Sequence, residues 1–574
     1  MMRGKKGLVE LDVAIIGAGV SGLYTGWRLK TDSKTQNLKT AIFEMSARVG
    51  GRLYTIRMHG VENVPVELGG MRFMAHQKLV EKVIETFNLE VKTFPMGKPE
   101  TNLFYLRGKR FTEADWEKNK FKHPFNVKIA NKGKTPDELF QTLVDNVLAG
   151  PKNKDILRGE KLKHHPGRTF TRKQWDKIKS KLVYEGGPDH GNRLENIGFW
   201  NLIRNEISSE GYELLAQAGG YYSNTLNWNA AEALPYVVGD FAGPVQYKTL
   251  TEGFDQIARK LYGGYHNTDP NTPYHKVHTQ TKLQKIETNT RNRRRYQLTL
   301  LDGTSNENFQ VYADKIVLAM PRRSLELIAG GIQVGSQDQW ETLQKGFRDN
   351  IRCVIGEPSF KLLMAFDTPW WKKVKVPRTS KKIENGRAIT DMAMRQCYYF
   401  GTQKDPGTGN ENGVMLASYN DMRTVAFWKP LENIGNPSEG NQFFKLFEPA
   451  YRRQNPSEDP KDYEQAPQRM VHHALDQLGD LHNFQVPTPI DTAYFNWNDD
   501  PYGGGYHAWK ANYNVASMMR KMRHNPVGSE AIYVCGEAYS DQQGWVEGAL
   551  CIAEKILIDN FGTTALVPGY YLGR

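Results

Sequence analysis

Apolar positions along the chain follow two rhythms, one of strand period and one of helix period. Residues 11–16, LDVAII, form a short and nearly unbroken apolar run of strand length. GAGVSG follows, and LYTGWRLK then places its apolar positions at helical spacing, so the pattern predicts strand, glycine turn and helix. A second strand, KTAIFE, ends on Glu44 and completes a βαβ unit. Further on, KVHTQTKLQKIET, RYQLTLL and FQVYADKIVLAMP alternate with period two and predict a strand, a hairpin and a return strand, with RNRRR at 291–295 at the hairpin tip.

Between residues 100 and 230 the rhythm is mostly helical (DELFQTLVDNVLAG, RKQWDKIKSKLVYEG, NLIRNEISSEGYELLAQAGG), broken by proline and glycine, which predicts an inserted helical module. Strands return from about residue 350, in CVIGEPSFKLLMAFDTPWW and GVMLASYN, and AIYVCGEAYS leads into a helix, WVEGALCIAEKILIDN. With 574 residues, 39% of them hydrophobic, the chain can build two or three domains around proper cores.

Charge and cysteines narrow the classes. A net charge of +13 raises the question of an anionic partner, but much of the excess lies in residues 152–181 and in RNRRR, both read as solvated surface, and no nucleic-acid module is present. Cys353, Cys397, Cys535 and Cys551 are far apart and in no metal-binding spacing, so reduced structural thiols are expected and no metal site. The opening MMRGKKGLVELDVAII runs into a glycine motif without a cleavage site and carries Glu10 and Asp12, so it is read as part of a cytoplasmic protein rather than a signal peptide, with a secreted mature form whose signal has been removed as the alternative. No window has the roughly 20 apolar residues of a membrane span, and no membrane partner is expected.

Gly17, Gly19 and Gly22 form GxGxxG between a strand and a helix: the first permits the turn, the second lets a pyrophosphate approach, and the third lets the helix pack closely. Glu44, at the end of the second strand, supplies the acid for a ribose hydroxyl and disfavours an extra phosphate there. Together they predict an adenine dinucleotide.

MSARVGGRLYT follows Glu44, and here the chain resembles the FAD-dependent amine oxidase family, in which E-x3-R-x-GGR follows the second strand; Arg48, Gly50, Gly51 and Arg52 match. Guanidinium groups there complement pyrophosphate oxygens. The resemblance continues in YKTLTEGFDQIARKL (247–261), VLAMPRRSL (317–325) and CGEAYSDQQGWVEGAL (535–550). It implies an α/β fold: a Rossmann-like FAD-binding domain of the glutathione-reductase type, a mixed-sheet substrate domain and an inserted helical domain. The implied segments are 8–75, 241–330 and 511–574 for FAD, 76–240 for the helical insertion with part of the substrate domain, and 331–510 for the substrate domain. Gly70, Met71, Gly536, Glu537, Trp545 and Val546 are implied to border the flavin, with the helix after Trp545 aiming its amino terminus at the ring.

The same resemblance assigns the chemistry. Lys361, ten residues before Trp371, matches the family lysine that holds a water near flavin N5, and an ammonium in so apolar a strand needs partners. GGMRF matches the GxMR of the L-amino acid oxidase branch, in which the arginine, here Arg72, forks onto the substrate carboxylate. Tyr419 matches a second carboxylate donor, with Tyr398 and Tyr399 as competitors. Gly544 is implied to receive the substrate amine through its carbonyl, Trp545 to wall the site, and Tyr506 to face it. Gly505 stands where covalent flavin attachment would need a cysteine, so noncovalent FAD is expected.

The implied reaction is oxidation of an L-amino acid by O2, with hydride passing from the α-carbon to FAD, to 2-oxo acid, ammonia and hydrogen peroxide. Rival readings are an amide-forming 2-monooxygenase, a polyamine or monoamine oxidase, and a flavin-fold scaffold. Asp500 near the flavin is read as favouring arginine or lysine, which the large helical insertion would allow, so basic or bulky side chains are the expected preference; a homodimer is expected.

Overall fold

Val9–Ile16 is buried along its second half because it runs through the middle of a parallel sheet, which explains its near-continuous apolar sequence. This computed structural model describes residues 9–117, 123–241, 246–432 and 463–574; MMRGKKGL, the start of the segment read above for a signal, lies outside the described residues. Parallel neighbours of Val9–Ile16 are Thr40–Phe43 on one side and Glu307–Leu318 on the other, flanked in turn by Lys276–His278 and Ile532–Val534. The crossover helix Val20–Thr31 packs against Gln256–Tyr265 and Val546–Phe561, so three distant segments share one core.

Glu307–Leu318 belongs to two layers. Its second half completes the parallel sheet, while its first half pairs antiparallel with Tyr296–Asp302, which pairs with Thr281–Thr288. The single strand expected over KVHTQTKLQKIET is thus two. It breaks at Gln280 (φ 52°), where the Gln280 N–H donates to Ser46 O at 2.9 Å and the Thr281 N–H to Glu44 O at 2.8 Å, so one piece ends beside Glu44 and the other begins the hairpin.

A second, mixed sheet of seven strands runs Asp491–Asn496, Ser359–Phe366, Glu411–Asp421, Gln396–Lys404, Gly386–Thr390, Leu103–Leu106 and Lys109–Thr112. Ser359–Phe366 is buried on both faces. The helical module includes Pro136–Ala149, capped by a reciprocal Thr135/Glu138 box, together with Phe199–Ile207, Ser209–Ala218 and Ala230–Phe241, around its own apolar core. The α/β fold with mixed substrate sheet and helical insertion is as expected.

Two basic stretches are less solvated than expected. Arg294 of RNRRR is buried against Asp12 at 2.7 Å and Asp314. Lys179 is buried among Asp176, Glu232 and Asp541 at 2.7, 2.8 and 3.4 Å, a cluster that Arg574 also enters. Among the described residues no helix is long and apolar enough to cross a membrane. The four cysteines are buried thiols.

Candidate active site

A cleft with about 1350 Å³ of empty space opens at the carboxyl end of the parallel sheet, between the Gly17 turn, residues 281–283, Met320 and Gly536. Gly17 takes φ +104°, and a Cβ there would meet Ala319 O at 2.4 Å; one on Gly22 would meet Gly17 O at 2.0 Å, so both glycines serve the turn and its packing. Gly19 and Gly536 differ. A Cβ on either would find no protein atom nearer than 3.8 Å, so bare backbone faces open cleft there, as an approaching dinucleotide requires.

Gly17, Gly19, Glu44, Gly51, Arg52, Gly70, Gly536, Glu537, Trp545 and Val546 all line this cleft. Glu44 reaches back into the turn, accepting from the Ala18 N–H at 2.7 Å and from the Ser46 N–H and hydroxyl at 2.8 and 2.7 Å. Val546–Phe561 begins at the cleft wall, so its positive end faces the space. This cradle fits an adenine dinucleotide.

Three residues of the expected cofactor set do not line the cleft. Gly22 packs the helix against the turn, the role its motif gave it. Arg48 donates to the carbonyls of Gly51 and Leu53 at 2.5 and 3.2 Å and stacks on Tyr54 at 4.2 Å, so it shapes the paired-glycine loop instead of facing the cleft. Met71 is buried, its sulfur 3.7 Å from Lys361 Nζ.

Arg52 faces the cleft but is paired with Glu537, which also accepts from the Gly544 N–H at 2.9 Å and lies 2.6 Å from His507 Nδ1. Burial alone would raise the Glu537 pKa; Arg52, His507 and the Gly544 N–H outweigh it and hold it down at about 2. Glu537 thus remains an anion that fixes both Arg52 and the Gly544 turn.

Lys361 lies beneath this end of the cleft, 2% exposed, donating to Gly69 O at 2.6 Å and Glu67 O at 3.1 Å, with its Nζ 4.6 Å from the Tyr419 ring centre. Burial lowers its pKa, Glu67 opposes the shift and Arg72 adds to it. Glu67 is shifted the other way by its own burial, against hydrogen bonds from the Phe254 N–H and Thr55.

Arg72 stands over the Tyr247 ring at 3.9 Å, and Tyr247 is stacked on Trp545 at 6.4 Å. Its Nη2 is 3.5 Å from the Tyr221 hydroxyl, and Tyr221 packs edge-on against Tyr419 at 5.4 Å. Of the competing tyrosines, Tyr398 shares this face, 6.0 Å from Phe94, whereas Tyr399 points through the sheet to Trp371 and His482. Alternation along the strand separates them. Trp371 belongs to that opposite face.

Gly544 and Tyr506 are neighbours: a Cβ on Gly544 would lie 3.4 Å from the Tyr506 ring. Tyr506 donates its hydroxyl to Ser223 and is not the ring stacked on Trp545. Asp500, read as favouring basic side chains, is paired through both oxygens with Arg323, at 2.6 and 3.0 Å, and Asp499 is paired with Lys429.

Sequence reasoning missed Tyr221, Ser223 and Tyr247. The first two come from a loop of the helical module, far in sequence from Arg72, and carry no periodic signal. Arg387 was also missed, although a lone cation in the strand Gly386–Thr390 is the same anomaly that singled out Lys361.

The family of flavin containing amine oxidoreductases matches residues 20–429, and the chain belongs to it. It is an FAD-dependent oxidoreductase acting on amines or amino acids. The chain is 24% identical to Aplysianin-A of Aplysia kurodai, over 96% of this chain and 90% of that protein. It is 22% identical to an L-amino-acid oxidase of Pseudechis australis over 71% and 67% of the two chains. A putrescine oxidase structure superposes with TM-score 0.57 over 96% of this chain and 99% of its own, at 14% identity, a likeness of fold.

Proposed function

We propose that this enzyme oxidises L-amino acids at the α-carbon, yielding 2-oxo acid, ammonia and hydrogen peroxide. The observation that carries the reading is the stack Arg72, Tyr247, Trp545, which sets a guanidinium fork one ring away from the wall of the dinucleotide cleft. An amine without a carboxylate would give that fork nothing to bind. The likeness to an L-amino-acid oxidase supports the same choice.

The glycine turn, Glu44 and the Gly536 segment would hold FAD noncovalently, and FAD when bound would supply the hydride acceptor and the redox link to O2. The protein's part is positioning. Arg72 and the Tyr419 hydroxyl hold the carboxylate, and the Gly544 carbonyl receives the amine, which fixes the orientation of the α-carbon. Lys361 braces the segment that carries Arg72 by bonding the carbonyls ahead of it. Water then hydrolyses the released imino acid.

The test is anaerobic mixing of the purified yellow protein with L-amino acids, their D-forms and the matching decarboxylated amines, followed by flavin absorbance. Bleaching by L-amino acids alone is expected. Bleaching by amines but not by L-amino acids would overturn the reading.

A further inference from the structure

Arg387 lies directly opposite Tyr398 in the antiparallel pair formed by Gly386–Thr390 and Gln396–Lys404. Directly opposed side chains share a face, about 5 Å apart at Cβ, so Arg387 projects from the same face as Tyr398. That face meets Phe94, over which Arg72 sits at 5.6 Å. A second guanidinium therefore borders the pocket in which the substrate carboxylate is proposed to dock.

This arginine is not consumed by a structural ion pair. It is half-buried, and among the described residues no carboxylate reaches ion-pair distance of it. The acid that influences it most, Glu113, has an oxygen engaged by Asn102 at 2.8 Å. Its effect on the pocket is visible at Tyr398. Burial alone would raise that phenol, yet Arg72 and Arg387, with side-chain hydrogen bonds to Tyr221 and to Arg387 itself, bring it below its ordinary value. The pocket thus holds more positive charge than one α-carboxylate neutralises, since Arg72 alone offers the bidentate fork that such a group needs.

From this juxtaposition, and resting on the L-amino acid reading above, we infer that Arg387 binds the side-chain carboxylate of a dicarboxylic substrate, so that acidic L-amino acids are the preferred class. A neutral isostere would leave a half-buried guanidinium without its anion, and a cationic side chain would meet like charge. Asp500, the residue read as favouring basic side chains, is neutralised by Arg323 and does not oppose this.

The test compares kcat/KM for L-glutamate, L-aspartate, L-glutamine, L-leucine and L-lysine in the holoenzyme, in Arg387→Leu and in Arg387→Lys, at matched flavin content. The wild type is expected to prefer glutamate or aspartate over glutamine by at least about tenfold. R387L should lower that acidic activity by about 100-fold and L-leucine activity by less than about fivefold, with R387K in between. Glutamine turned over as well as both acids, or equal losses for acidic and apolar substrates in R387L, overturns the inference while leaving L-amino acid oxidation intact. Turnover of amines alone would overturn both.

Discussion

The Lys361 amino group lies 2.6 Å from the carbonyl oxygen of Gly69, three residues before Arg72 in the chain. With its second bond to Glu67 O, this lysine satisfies two acceptors inside a buried bend that carries the guanidinium fork. Lys361→Met would leave both carbonyls unpaired, each at about 1–3 kcal/mol. The expected result is a lower Tm together with a KM for L-amino acids that rises by about tenfold or more, because the fork loses its support. A change in oxygen reactivity with KM unaltered would show that the lysine does not brace the fork.

Tyr399 and Tyr419 test which face of the substrate sheet is chemical. Tyr419→Phe removes a hydroxyl on the Arg72 side and should lower kcat/KM by about tenfold. Tyr399→Phe breaks a bond to His482 at 2.5 Å on the opposite face, so it should lower Tm and leave steady-state kinetics near wild type. Reversed outcomes would mean that the carboxylate docks elsewhere.

Glu537 gives a pH prediction of definite sign. Its pKa in the folded protein, about 2, is below the ordinary 4.5, so the unfolded chain binds the extra proton first. The stabilisation is fully present above pH 4.5 and is lost as pH falls toward 2, up to about 3 kcal/mol. Urea unfolding followed across that range should show the decline, and Glu537→Gln should flatten it while weakening FAD retention through the released Arg52 and Gly544 turn. An unchanged acid slope in E537Q would remove Glu537 as its source.

Much of the cofactor half was legible because backbone geometry dictates residue type: a turn at φ +104° beside Ala319 O demands glycine, and the two cleft-facing glycines leave room no side chain can share. The substrate half was less so. Arg72 and Lys361 stood out as cations among apolar residues, but Tyr221 and Ser223 arrive from a loop in the helical module, and sequence spacing says nothing about where an inserted loop lands. Charge was read too locally as well. Lys179 looked solvated because two of its three acids, Glu232 and Asp541, lie far along the chain, and Arg294 because Asp12 is distant in sequence and Asp314 lies across a strand pair.

Asp541, two residues after Tyr539 and three before Gly544, ties the flavin-side loop to that buried cluster, holding Lys179 at 3.4 Å and Arg574 at 2.8 Å. Asp541→Asn would remove one acceptor from each of two buried cations, which keep Asp176 and Glu232 as anions, a loss of about 1–3 kcal/mol. A fall in Tm, with faster FAD release, is expected in a thermal scan that follows flavin fluorescence. Unchanged Tm would mean that the remaining acids, Asp176 and Glu232, suffice.

The most direct measurement is product stoichiometry in air with purified enzyme. Each L-amino acid consumed should use one O2 and give one hydrogen peroxide, one ammonia and one 2-oxo acid, with the decarboxylated amines untouched. Amide and carbon dioxide from the amino acid, or peroxide from the amines alone, would contradict L-amino acid oxidation as the function of this site.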